Sequence, residues 1–155
     1  LDYVVDCVVE TIDHAMGRPP RSRDESSSVE PRLAAFTTFV ANVLIRADVK
    51  TPVILTALAY LARGKPHLHA AIEEMALERA FLGALIIASK YLNDCTFKNM
   101  HWALCTGIFR TQDIGLIERE FLDVLDWDLR ISEDDILAHY VDIYTRLSGL
   151  HLDAT

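Results

Sequence analysis

The sequence predicts an all-α protein, and three observations carry that prediction. Apolar residues recur at steps of three and four along nearly every segment, the helical period. Strand-like alternation is almost absent, and no internal repeat of solenoid length occurs. The 155 residues suit one domain, since domains commonly run to ~100–200 residues. At 51% hydrophobic and 25% charged, the chain can bury a real core.

The elements follow in order. Residues 1–16 set Leu1, Val5, Val8 or Val9, Ile12 and Met16 on one side, which predicts an N-terminal helix. Residues 17–30 (GRPPRSRDESSSVE) break the pattern with Gly, two prolines and a serine run, and read as a mobile, solvated linker. Leu33, Phe36, Val40, Val43 and Leu44 mark the next helix, which ends before Asp48. Thr51-Pro52 reads as a helix start, with Thr51 as the capping hydroxyl and proline at the first helical position. That helix turns Ile54, Leu58 and Leu61 inward and stops at Gly64. The run 78–92 (ERAFLGALIIASKYL) is apolar nearly all round, so it is expected to be the central, buried helix. Gly83 inside it costs about 1 kcal/mol relative to Ala, which close approach of a neighbouring helix would explain, as would simple tolerance. A short helix over about 99–106 and a longer one over 113–126 come next. Ser132-Glu133-Asp134-Asp135 has the form of a capping box, opening a helix with Ile136, Tyr140, Ile143 and Leu147 on its core face. The total is about seven helices.

Charge is unevenly placed. Residues 1–110 carry 12 basic and 12 acidic side chains, whereas residues 111–155 carry 3 and 11, so the whole net charge of −8 lies in the last 45 residues. A surface of that sign repels phosphate backbones, and no compact basic patch offsets it, so a nucleic-acid partner is not expected. Cys7, Cys95 and Cys105 are odd in number and lack CxxC spacing, which suits a reducing compartment. No apolar run reaches the ~18–20 residues of a membrane span, and no basic-then-apolar segment opens the chain. The expectation is a soluble domain of the cytoplasm or nucleus with no membrane partner.

Two charged residues sit on apolar faces. Lys90 follows Ile86 and Ile87 by one turn. Glu118 shares a stripe with Leu122, Leu125 and Leu129, all within about 40° of it on a helical wheel, while Glu120, Asp123 and Asp126 point away. A lone buried charge costs several kcal/mol, so each needs a partner or an exit to water. Spacing leaves two readings open. Lys90 snorkels to solvent and Glu118 sits at the helix edge, or both stand on one apolar patch that another chain completes. In the second case the charges set register and the leucines supply most of the binding energy.

These segments carry a family resemblance. ALIIASKYLND followed by IEREFLDVLDWDL resembles the third and fifth helices of a cyclin box, whose Lys and Glu form a signature pair that Lys90 and Glu118 match. FLGALIIASKYLND, KNMHWA and IEREFLDVLDWDL are similar to the fungal cyclins that partner the phosphate-pathway cyclin-dependent kinase, especially their cell-cycle and polarity branch. The likeness spans about residues 33–140. It implies a five-helix cyclin box over 31–131, flanked by the N-terminal helix and by a C-terminal helix and tail over 132–155. It also implies a non-catalytic activator that docks beside the regulatory helix of a cyclin-dependent kinase and completes phosphoryl transfer there to protein substrates, without a cofactor. By the same likeness, Lys90 and Glu118 would hydrogen-bond the kinase, Tyr91, Leu122 and Leu129 would pack on its helix, and the leading helix would add contacts. The segment AFTTFVANVLIRA lacks the M-R-A-I-L type motif of cell-cycle cyclins, so substrate recruitment through that groove is not expected. A regular second box is not expected either.

Competing readings are simpler. His67 and His69 have no third ligand at a suggestive spacing, and metal binding is not expected. His101 and Cys105 lie four apart, as a thiol–imidazole pair could, but no orienting carboxylate or oxyanion cradle accompanies them. Trp102 and Trp127 read as core or rim aromatics. The alternative within the same fold is a transcription adaptor that activates no kinase, which the charge disfavours.

Overall fold

Each apolar stripe becomes a helix in the computed structural model, which describes residues 2–15, 30–70 and 76–141. The elements are α1 (Asp2–Ala15), α2 (Glu30–Arg46), α3 (Thr51–Gly64), a 3-10 helix (Lys65–Ala70), α4 (Ala76–Leu92), α5 (Asn99–Thr106) and α6 (Thr111–Val124). A further helix, α7, covers 133–141. No strand occurs among the described residues. Of the expected linker 17–30, residues 17–29 lie outside them, as do Leu1, Met16, Ile143 and Leu147, while Glu30 already opens α2.

Helix α4 is the axis of the fold. Every residue from Ala80 to Ala88 is buried, as expected of a run that is apolar on all sides. Helices α3 and α6 form its main packing partners, and α1 and α2 also lie against it. The aromatic rings of Phe36, Phe39, Phe81 and Phe109 interlock edge to face, which joins α2 to α4 and to the segment before α6. Trp102 of α5 is buried, whereas Trp127 lies exposed at the end of α6.

Glycine matters at two points. A Cβ on Gly83 would lie 2.8 Å from Phe121 Cβ and 3.3 Å from the Ile117 carbonyl oxygen, so α4 and α6 meet closely there. Gly107 ends α5 in the left-handed conformation (φ 71), its N–H donating to the Ala103 carbonyl at 3.1 Å.

Three local expectations change. The N-cap of α3 is Lys50, in extended backbone, and Thr51 is already helical with no capping bond from its side chain. The cause is the ending of α2. Asp48 adopts φ 49, Val49 N–H donates to Leu44 O (3.1 Å) and Asp48 N–H to Ile45 O (3.2 Å), a Schellman ending that leaves Lys50 as the extended entry residue. Helix α6 starts at Thr111 and stops at Val124, short of Asp126. Tyr140 is 53% exposed and is not a core residue. Helix α7 instead turns Asp135, Ile136 and His139 inward, with Tyr3 Oη and His139 Nδ1 hydrogen-bonded at 2.9 Å. Its capping box forms as expected, Asp135 N–H donating to Ser132 Oγ (3.2 Å) and Ser132 N–H to Asp135 Oδ2 (2.9 Å).

Candidate functional site

The close approach at Gly83 brings two oppositely charged side chains together. Lys90 Nζ donates to both carboxylate oxygens of Glu118, at 2.7 and 2.8 Å. The Lys90 side chain is 39% exposed and that of Glu118 17%. Each charge that spacing left without a partner therefore has one in the other, and both still reach the surface. An ammonium has three donors and a carboxylate about four acceptor sites, so the pair retains hydrogen-bonding capacity for a second chain. Arg79 and Glu120 form another ion pair between α4 and α6, so Glu120 is a strut rather than a free surface charge.

Beside the pair stands Tyr91, 47% exposed. Its ring meets that of the buried Tyr60 edge to face at 6.4 Å. Tyr60 Oη in turn donates to the Leu129 carbonyl at 2.9 Å. Burial, and secondarily the neighbouring Tyr91, push the Tyr60 phenol up to about 12. One buried tyrosine thus fixes the relative places of Tyr91 and Leu129.

The expected stripe does not run straight. Asp126 (φ 51) and Trp127 (φ 57) reverse the chain after α6, with Trp127 N–H donating to Leu122 O and Asp126 N–H to Asp123 O, both at 3.0 Å. Leu129 therefore lies beyond the helix, half-buried, where a wheel extrapolated over eleven residues has no meaning. Leu122 is only 8% exposed and belongs mainly to the core. Trp127 is 63% exposed, with its indole N–H donating to Asp123 Oδ1 at 3.3 Å.

Sequence reasoning missed Tyr60, Arg63 and Trp127. The available signals were a Tyr and an Arg three apart on the otherwise aliphatic TPVILTALAYLARG, and a Trp between two Asp in LDWDL. It raised and discounted the pair His101 and Cys105, and the structure gives the two side chains different surroundings on α5. The His101 ring packs on Phe97 at 5.7 Å, while Cys105 is buried and burial pushes its thiol up, against a smaller opposing effect of Arg46. His67 is exposed on the 3-10 helix, and no cluster of metal-ligating side chains occurs among the described residues. No helix among them is long and apolar enough to cross a membrane.

The all-α fold agrees with the cyclin box that the sequence resembles, and a Lys–Glu pair joins its α4 and α6. A model of the cyclin N-terminal domain matches residues 13–130, and the chain belongs to the cyclin family. The chain is 38% identical over 122 residues to PHO85 cyclin-1 of Saccharomyces cerevisiae, covering 77% of this chain and 43% of that protein. It is 37% identical over 102 residues to PHO85 cyclin-9 (64% and 34% covered) and 36% over 104 residues to PHO85 cyclin-2 (65% and 34%), both from the same yeast. The chain spans less than half the length of these relatives.

Proposed function

We propose that this chain binds and activates a cyclin-dependent kinase of the kind that the names of its yeast relatives carry, in cell-cycle or polarity control. The observation that carries the proposal is the Lys90–Glu118 pair, braced inside the chain yet open to solvent, beside Tyr91 and Leu129. A half-exposed ion pair adds under about 1 kcal/mol to folding, so stability alone is a weak reason for placing two charges on an apolar face. Docked against the kinase's regulatory helix, the same pair sets register, while Tyr91, Leu129 and the rim of Leu122 supply desolvated apolar contact. Holding the regulatory helix inward places the kinase's own catalytic groups, so the cyclin needs none.

The exposed Cys95 and buried Cys105 are free thiols, which supports action in the cytoplasm or nucleus. The test is direct. Purified kinase mixed with this chain is expected to gain protein-kinase activity, and Lys90→Ala or Glu118→Ala to raise the concentration needed. Full-strength activation by both variants would remove the basis for the proposal.

A further inference from the structure

We infer that Tyr60 and Arg63, both on α3, are positioning residues for the docking face. They act by gripping the backbone of the turn that follows α6. This rests on the kinase-docking reading above, and the test separates the two.

Three successive carbonyls converge on these two side chains. Arg63 Nη1 donates to Asp128 O at 2.8 Å, Tyr60 Oη to Leu129 O at 2.9 Å, and Arg63 Nη2 to Arg130 O. The guanidinium lies 5.7 Å from the centre of the Tyr60 ring and reaches Asp135 Oδ2 of α7 at 3.4 Å. A segment that makes neither helix nor sheet has no ladder for its carbonyls, so side chains must satisfy them. A planar guanidinium can serve two at once, where an ammonium is a point donor.

The turn needs holding. Asp126 and Trp127 are consecutive non-glycine residues in the left-handed region, a strained conformation that persists only where its surroundings over-determine it. The Schellman bonds fix its entry, and the grip of Tyr60 and Arg63 fixes its exit. The turn carries exposed Trp127 at its apex and delivers Leu129, just beyond, to the proposed face. The ring of Tyr60 also backs Tyr91, so the same α3 pair reaches both sides of the face. A docking face built on a loop must be preorganised, or binding has to order it.

The experiment uses Tyr60→Phe, Arg63→Ala and Arg63→Lys. Tyr60→Phe keeps the buried ring and removes only the bond to Leu129, so the core is left packed. Acrylamide quenching reads the exposed Trp127 against the buried Trp102, and titration with purified kinase reads the face. Arg63→Ala is expected to change quenching of the exposed tryptophan and to weaken kinase binding about tenfold or more, the size of losing two charge-assisted hydrogen bonds. Tyr60→Phe should show a smaller change of the same kind. Arg63→Lys should fall between wild type and Arg63→Ala, because it keeps charge and stem but loses the fork. Helical content and the thermal midpoint of Tyr60→Phe should stay near wild type. Unchanged quenching in both Arg63→Ala and Tyr60→Phe would overturn the inference whatever the kinase does. Wild-type kinase affinity in both, alongside lost affinity in Lys90→Ala, would also overturn it while leaving the docking reading intact. If instead Lys90→Ala and Glu118→Ala bind like wild type, the docking reading fails, and the inference that rests on it fails too.

Discussion

Gly83 shows how packing reverses a propensity argument. In an exposed helix, Gly→Ala would stabilise by about 1 kcal/mol. Here the added methyl meets Phe121 Cβ at 2.8 Å, Phe121 Cγ at 3.2 Å and the Ile117 carbonyl oxygen at 3.3 Å. None of these is the far end of a flexible side chain. One is backbone and another is one bond from it, so only a shift of α6 as a body relieves the clash. Overpacking of this kind costs ~1–3 kcal/mol, which exceeds the propensity gain. Gly83→Ala is therefore expected to destabilise by about 1–2 kcal/mol net, lowering the thermal midpoint by a few degrees in a chain of this size. Gly115 supplies the control. It is interior to α6, and its added Cβ would meet only the Asn99 side-chain nitrogen, at an ordinary 3.4 Å. Gly115→Ala should stabilise by up to about 1 kcal/mol. Urea unfolding followed by far-UV circular dichroism measures both. A Gly83→Ala protein as stable as wild type or more so would refute the packing argument, most sharply if Gly115→Ala behaved the same way.

Other consequences follow from the same contacts. Gly64→Ala brings a Cβ within 2.8 Å of Val124 Cγ1, so a double-mutant cycle with Val124→Ala should show favourable coupling of about 0.5 kcal/mol or more, read by denaturant midpoints. Asp48→Gly relieves a left-handed residue and loses only an exposed ion pair with Lys50, so it should be neutral or stabilising by up to about 1 kcal/mol. Backbone and side-chain hydrogen bonds from Ser132 hold the Asp135 carboxyl below its ordinary value, and bonds from Arg110 and Arg130 do the same for Asp113 and Asp128. With folded values below unfolded ones, that stabilisation is present above about pH 4 and is lost as pH falls through the folded values, so Asp135→Asn should flatten the acid limb of the stability curve. Tyr60 has the opposite sign. Its phenol, raised from 10.0 to about 12, favours the folded state below pH 10 and loses that contribution between 10 and 12, so ultraviolet titration should show one late-ionising tyrosine that Tyr60→Phe removes.

Much of the helix plan was legible because the helical period is a local property. Leu92, Gly64 and the Asn99–Thr106 helix fall where periodicity and breakers place them. Capping was read less well. Thr51 has the chemistry of an N-cap, but the preceding Asp48 turn decides which residue is extended, and that is set by the ending of α2. At the site, Lys90 and Glu118 were visible as charges on apolar faces, and their spacing could not say that they meet. Their meeting depends on the α4–α6 approach, a tertiary fact that the cyclin-box resemblance implied and that Gly83 signals locally. Leu129 was picked out by a wheel that assumes a continuous helix, whereas two left-handed residues interrupt it. The parts that set its real position, Tyr60 and Arg63, are more than sixty residues away in sequence, beyond the reach of any local pattern.

The central claim is that Lys90 and Glu118 form a docking element rather than a fold strut. Calorimetric titration of the kinase with wild type, Lys90→Ala, Glu118→Ala and the double variant tests it, with thermal unfolding measured on the same samples. The account predicts at least a tenfold loss of affinity in each single variant, with midpoints within a few degrees of wild type. A double variant that binds the kinase undiminished would contradict it.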